Sequence, residues 1–164
     1  MPAVAGCGMV GAMLSRLLLV LALTVLPLAA APAQEAVEFG KGEATVVTRD
    51  GEHHPFHVEL ATTAPQMARG LMFRKELAPD AGMLFVLPSA QMTAFWMKNT
   101  LIPLDMLFIA EDGRVVRIAE RTTPMSTESI SSRRPVIAVL ELPGGTAERL
   151  GIGTGAKVES KALP

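Results

Sequence analysis

Short segments in which apolar and polar residues alternate run along most of the chain, and two pairs of them are separated by an Asp-Gly dipeptide. The first pair flanks Asp50-Gly51 and the second flanks Asp112-Gly113. Asp-Gly between two β-prone runs is a strong signal for a hairpin turn. The pattern therefore predicts two β-hairpins, whose strands cover residues 44–48, 57–61, 104–109 and 114–119.

Four further strands are predicted from the remaining apolar runs. Residues 83–87 and 136–142 are almost continuously apolar, which is typical of strands buried on both faces. Residues 88–91 contain a proline and are expected to end the first of these strands, and the polar residues 122–135 are expected to form a long loop. The last two strands are expected at residues 93–98 and 157–160.

Two short helices are predicted between the strands. Thr63 and Gln66 form a capping box at the start of the first helix, and Gly70 ends it. Thr146 is expected to cap the second helix, which Gly151 ends. A parallel sheet needs long crossover connections, usually helical. We therefore predict a mostly β (α+β) fold, either a small antiparallel barrel or two packed sheets, with two short helices.

The first 33 residues have the pattern of a secretory signal peptide. Arg16 supplies the positive charge, residues 17–28 the apolar run, and residues 31–33 an A-x-A cleavage site. The apolar run is shorter than the roughly 20 residues of a membrane-spanning helix, which favours cleavage over an uncleaved anchor. We expect a periplasmic or secreted protein with no membrane insertion after cleavage. Its parts would be a signal peptide at 1–33, a flexible leader at 34–42 and a single domain at 43–164.

Composition excludes several kinds of chemistry. The single cysteine, Cys7, lies in the signal segment, so the mature domain has no thiolate nucleophile, disulfide or cysteine-ligated zinc. The chain carries a formal net charge of −1, which gives no electrostatic footprint for nucleic acid. About 130 residues remain after the signal, enough for one domain with its own core.

The chain resembles the DUF192 family over roughly residues 43–157. The resemblance rests on five segments in order, at residues 70–74 (GLMFR), 82–85 (GMLF), 95–100 (FWMKNT), 102–106 (IPLDM) and 140–142 (LEL). It implies a compact, β-rich fold, and many members of the family look exported. The family name implies no established activity, so the resemblance assigns no catalytic residue.

Asp105 is the most informative single residue because it interrupts an apolar strand. Strand alternation places it on the same face as Leu107 and Ile109. A buried carboxylate without partners is unfavourable by several kcal/mol, so it needs a cation or other donors, and the cations next to apolar runs are Arg74 and Lys98. The functional interpretation is a pocket, and the alternatives are a structural salt bridge or an aspartate that caps a turn. The candidate pocket comprises Arg74, Trp96, Lys98, Asn99, Asp105 and Glu141.

Glu141 repeats this pattern at the end of the core strand 136–142. If its carboxyl meets that of Asp105, the two form a paired-carboxylate site for acid–base catalysis. The alternative is an acid that emerges at the end of a strand.

Two sets of side chains, the histidines and the methionines, are possible metal ligands. His53 and His57 lie about 13 Å apart on an extended chain, too far to share one ion. The thioethers of the mature domain suit Cu(I), but they are dispersed along the sequence and also suit core packing. They belong to Met67, Met72, Met83, Met92, Met97, Met106 and Met125.

These observations favour a binding or accessory module of the cell envelope. Its partner would be a small polar ligand or an envelope protein, recognised by Trp96 and its polar neighbours. No complete catalytic set is visible and no cofactor is predicted, so whether the protein is an enzyme stays open. The alternatives are an envelope hydrolase or transferase that uses Asp105 with Lys98, Arg74 or Glu141, and a periplasmic Cu(I)-binding protein.

Overall fold

The computed structural model describes residues 37–164. The predicted signal peptide and the start of the predicted leader lie outside the described residues. Nine strands and two short helices occur within the described residues. They are β1 (Gly40–Val47), β2 (His53–Ala61), α1 (Ala64–Arg69), β3 (Ala81–Gln91), β4 (Ala94–Phe95), β5 (Leu104–Ile109), β6 (Val115–Ala119), β7 (Ile130–Ser131), β8 (Val136–Pro143), α2 (Thr146–Arg149) and β9 (Lys157–Glu159).

Seven strands form one sheet that nearly closes into a barrel. Their order is β6-β5-β8-β3-β2-β1-β9, and β4 and β7 form a separate two-stranded sheet. The edges of the large sheet approach each other: Val115 donates its N–H to the Ala156 carbonyl at 2.8 Å, and Val158 donates to the Gly113 carbonyl at 2.8 Å. The predicted mostly β fold with two short helices is confirmed.

The apolar core has two layers, one on each face of the sheet. The first fills the barrel and includes Val46, Val58, Leu84, Leu107, Leu140, Leu142 and Val158. The second covers the outer face of β3, β5 and β8 and includes Leu71, Met83, Phe85, Met97, Met106, Phe108 and Val139. Strand β5 is buried at all six positions, because it lies between both layers.

The strand pairing differs from the prediction at one place, since β2 and β3 run parallel. The chain between them spans residues 62–80 and contains only the short helix α1. A crossover of this length is sufficient for a parallel pair. The other pairs in the large sheet are antiparallel, as predicted.

Several boundaries also differ from the sequence prediction, and β2 begins at His53 rather than at the predicted residue 57. β1 begins at Gly40, inside the predicted leader, because residues 40–43 pair with β2. β3 continues past Pro88 to Gln91 across an irregularity in its pairing with β8, and Pro88 lies where the ladder is interrupted. The strand predicted at 93–98 is limited to β4, since the chain turns at residues 97–100. The predicted loop at 122–135 contains the short strand β7.

The predicted capping box of α1 is confirmed. The Thr63 side chain accepts the N–H of Gln66, the Gln66 side chain accepts the N–H of Thr63, and Gly70 follows as the C-cap. Thr146 does not cap α2, because Gly145 occupies that position and provides no side chain. Within residues 37–164, neither helix has the length and apolar character needed to cross a membrane.

Candidate functional site

Glu141 lies near the end of β8, on the face of the sheet covered by the outer apolar layer. Met83 of β3 and Met106 of β5 lie directly across from it on the two neighbouring strands. Residues directly opposite each other in an antiparallel pair share a face, so the Glu141 side chain points into the outer layer. Only 4% of Glu141 is exposed.

The Glu141 carboxyl group is mostly protonated at neutral pH. Burial raises its pKa from 4.5 to about 8, because an ionised carboxylate is poorly stabilised away from water. Within residues 37–164, no cation or hydrogen-bond donor acts against this effect. The outer layer therefore contains one protonated carboxyl group without a protein partner among the described residues.

A cleft of about 390 Å³ opens beside Glu141. Its lining comes from α1 and the turn that follows it, from β3, from β4 and the residues beside it, from the segment at residues 127–129, and from Glu141. This volume is within the usual range for small-ligand sites, roughly 300–1,000 Å³. The lining comprises Met67, Ala68, Arg69, Gly70, Leu71, Met72, Phe85, Leu87, Thr93, Ala94, Phe95, Trp96, Thr100, Thr127, Ser129 and Glu141.

Aromatic packing fixes the interior of the cleft. The Phe95 ring meets Phe85 edge to face, with centroids 5.0 Å apart and planes at 87°. It meets Phe108 in the same way at 6.3 Å and 82°. Such edge-to-face pairs contribute stabilising free energy in addition to that of their buried area. The apolar side of the cleft beside Glu141 is therefore already packed without a ligand.

Two cations lie over aromatic rings at the mouth of the cleft. Trp96 is 51% exposed, and the Lys98 Nζ lies 5.2 Å from its ring centroid. Arg69, which also lines the cleft, places its guanidinium 4.7 Å from the Phe73 ring centroid. These contacts are within the range of cation–π interactions. The mouth is therefore aromatic and positively charged, whereas the interior is apolar.

Backbone hydrogen bonds connect the three loops around the mouth. Phe73 donates to the Asn99 carbonyl at 2.8 Å, and Met125 donates to the Thr100 carbonyl at 3.0 Å. Phe73, Asn99 and Met125 have positive φ angles of 65°, 58° and 63°, each of which costs roughly 1–2 kcal/mol for a residue with a side chain. Such strain persists where surrounding contacts enforce it, so the mouth is held in one arrangement.

Asp105 is not part of this cleft. Its Oδ1 accepts the N–H groups of Arg121 at 2.7 Å and Gly145 at 3.0 Å. Its Oδ2 accepts the N–H of Ala147 at 2.8 Å, in the first turn of α2. The expectation that Arg74 or Lys98 satisfies Asp105 is wrong, because three backbone donors do so. Asp105 thus caps α2 from a neighbouring strand, close to the turn-capping alternative.

Asp105 and Glu141 do not converge. Asp105 lies opposite Leu142 across the β5–β8 pair, and Glu141 lies opposite Met106. Successive residues of a strand point to opposite faces, so the two carboxyl groups lie on opposite sides of the sheet. A paired-carboxylate site made from these residues is therefore incompatible with the fold.

The other predicted pocket residues divide between the cleft and its surroundings. Trp96 lines the cleft, and Lys98 lies over the Trp96 ring. The Asn99 amide contacts the Met72 sulfur at 3.9 Å, next to the mouth. Arg74 instead pairs with Glu59 at 2.5 Å and lines a different recess, beside His57.

Sequence analysis missed several lining residues. Leu71, Phe85 and Phe95 belong to segments quoted for the family resemblance, but their apolar character indicated only core packing. Arg69 precedes the first of those segments and carried no signal of its own. Four of the five segments contribute to the cleft. The segments that carry the family resemblance were therefore the sequence signal that could have indicated these residues.

The methionines occupy three environments. Met83, Met97 and Met106 are fully buried, which confirms core packing for these three. Met67 and Met72 line the cleft, whereas Met92 and Met125 are exposed. Within residues 37–164, no group of three or more His, Cys, Asp or Glu side chains is placed to hold a metal ion.

The fold and the cleft define this chain as a small, barrel-like β domain with a ligand-sized site in its outer layer. The DUF192 family model, described as an uncharacterized ACR, matches residues 45–160. The chain belongs to the DUF192 family, as the quoted segments predicted.

Two solved structures share both sequence and fold with the chain. A protein of Sinorhizobium meliloti 1021, provisionally called a transcription regulator, is 45% identical with a TM-score of 0.74; the match covers 76% of this chain and 97% of that one. A protein of unknown function from Novosphingobium aromaticivorans DSM 12444 is 44% identical with a TM-score of 0.72, covering 80% and 94%. No curated protein matches the chain.

Proposed function

We propose that this protein is a binding module whose cleft takes a small, largely apolar ligand with one polar group anchored by Glu141. The observation that carries the proposal is a protonated, unpartnered carboxyl group beside a cleft with prearranged aromatic walls. One hydrogen bond made in place of bonds to water is worth about 0.5–1.5 kcal/mol. A ligand that pairs with Glu141 gains this free energy, which gives the site both affinity and orientation.

The cellular setting is part of the same proposal. The signal-like pattern of residues 1–33 supports export, and an accessory role in the cell envelope follows from it. The net charge of −1 supports a ligand other than nucleic acid.

Catalysis by Asp105 is not proposed. All three of its described contacts are backbone N–H groups, of which two fix α2 and the preceding turn and the third belongs to Arg121 after β6, so it has a structural role. The cleft contains one acid among its described lining residues, whereas the two-carboxylate mechanism considered for Asp105 and Glu141 needs two. Binding is the function that the cleft and the Glu141 carboxyl group support best.

Occupancy of the cleft is tested with the neutral dye N-phenylnaphthylamine, whose fluorescence rises in apolar surroundings. We expect saturable binding to the purified protein that is lost in Ala68→Trp, which fills the cleft. Ala64→Trp is the matched control, since Ala64 is exposed on the same helix but does not line the cleft. Equal dye binding by the two variants would exclude the cleft as the binding site.

The role of Glu141 is tested with naphthol and methylnaphthalene, which differ mainly in one hydroxyl group. The wild-type protein should bind naphthol about tenfold more tightly, because one recovered hydrogen bond is worth about 1.4 kcal/mol. Glu141→Leu should remove this preference, and Glu141→Gln should retain most of it. If Glu141→Leu keeps the preference, Glu141 is not the anchor.

A further inference from the structure

The charges around the cleft indicate what kind of ligand it accepts. Arg69 lines the cleft and lies over the Phe73 ring, while Lys98 lies over the ring of Trp96, which is also a lining residue. Within residues 37–164, neither cation forms a salt bridge, in contrast to Arg74, Arg114, Arg121 and Lys157. The positive charge at the mouth is therefore not neutralised by a fixed carboxylate.

Negative charge is scarce on the path into the cleft. Glu141 is the only acid among the described lining residues, and its raised pKa leaves it mostly protonated at neutral pH. Glu128 is exposed between two lining residues, Thr127 and Ser129. Two cations against this one acid leave the mouth net positive, so an anion is attracted and a cation is repelled.

Both cations contact aromatic rings beside the cleft. Each one is positioned by an aromatic ring, and the three loops of the mouth are connected by backbone hydrogen bonds. A ligand whose apolar body contacts Phe85 and Phe95 extends outward between Arg69 and Lys98. An acidic group at its outer end remains hydrated on one side while it pairs with both cations.

We infer that the ligand is an amphipathic organic anion, with a largely apolar body inside the cleft, its one polar group at Glu141, and in addition a carboxylate, sulfonate or phosphate group between Arg69 and Lys98. This inference rests on the proposed function, because it describes the ligand of the same cleft. It adds a charge requirement that the proposed function does not contain.

The test compares N-phenylnaphthylamine with its sulfonate, anilinonaphthalene sulfonate, which keeps the same rings and adds one negative charge. We expect the sulfonate to bind about tenfold more tightly at low ionic strength, and the preference to shrink as salt screens the charges. The double variant Arg69→Gln/Lys98→Gln should bind both dyes equally. Arg69→Lys/Lys98→Arg should retain the preference, because both charges are kept.

The control is Arg149→Gln/Lys161→Gln, which removes one arginine and one lysine from exposed positions away from the cleft. It should show the wild-type preference. Suppose that the neutral dye binds and that Ala68→Trp prevents its binding. If the sulfonate then binds no more tightly than the neutral dye, or still binds more tightly in Arg69→Gln/Lys98→Gln, the anion inference is wrong and the proposed function stands. If neither dye binds, or Ala68→Trp affects neither, the proposed function fails and the inference fails with it.

Discussion

Replacement of Glu141 by glutamine should change how stability depends on pH. In the folded protein the Glu141 pKa is about 8, against an ordinary value of 4.5. Between these two pH values the folded state holds a proton that the unfolded state has released. Stability decreases with rising pH wherever the folded state binds more protons, so the wild-type protein should lose stability from about pH 4.5 to about pH 8.

The size of this effect follows from the two pKa values. Their difference corresponds to about 5 kcal/mol, or about 1.4 kcal/mol for each pH step within the window. This is comparable with the whole unfolding free energy of many domains, about 5–15 kcal/mol. Glutamine has a similar shape and does not titrate, so Glu141→Gln should lack this part of the pH dependence.

The assay is urea denaturation of both proteins at intervals from about pH 4 to about pH 9. The informative quantity is the difference between their unfolding free energies, since other titrating groups largely cancel. The advantage of Glu141→Gln should grow up to about pH 8 and then level off, whereas Glu111→Gln, at an exposed position, should show no such growth. A constant difference, or one that shrinks as pH rises, would refute a buried protonated Glu141.

Three further substitutions test the structure around the site, each by equilibrium urea denaturation at neutral pH. Asp105→Asn should cost about 3 kcal/mol, because the amide cannot accept all three backbone N–H groups; a loss below about 1 kcal/mol would contradict its capping role. Thr63→Ala should cost about 1 kcal/mol through loss of the α1 cap, and an unchanged midpoint would mean the cap contributes nothing. Gly82→Ala should cost about 2 kcal/mol, since the added Cβ would lie 2.7 Å from the Glu141 carbonyl oxygen; full stability would show that β3 and β8 separate easily.

Local signals in the sequence predicted the local structure well. The turn residues at Asp50-Gly51 and the capping box at Thr63 depend on neighbours within a few residues, and both interpretations are confirmed. The parallel pairing of β2 with β3 depends on residues far apart in sequence. No local pattern encodes such a pairing, and the short helix between the strands made an antiparallel arrangement the natural expectation.

The same distinction explains the error at Asp105. Its donors Gly145 and Ala147 lie 40 and 42 residues further along the chain, and they are backbone groups that any residue type supplies. The expectation of a cationic partner therefore pointed to Arg74 and Lys98, but Arg74 pairs with Glu59 and Lys98 lies over Trp96. Burial of an acid was predictable from the apolar strand around it, but the identity of its partner was not.

The alternation of side chains between the two faces of the sheet separates the roles of the two buried acids, Asp105 and Glu141. Both interrupt apolar strands, but the register places Asp105 opposite Leu142 and Glu141 opposite Met106, which puts them on different faces. On one face the Asp105 carboxylate accepts the N–H groups at the start of α2, so protein donors satisfy it. On the other face Glu141 meets the apolar layer and the cleft, where no described protein donor is present. A one-residue shift of β5 against β8 would turn the Asp105 side chain to the face of Glu141, so the separation of the two acids is a consequence of the β5–β8 pairing rather than of their immediate sequence neighbours.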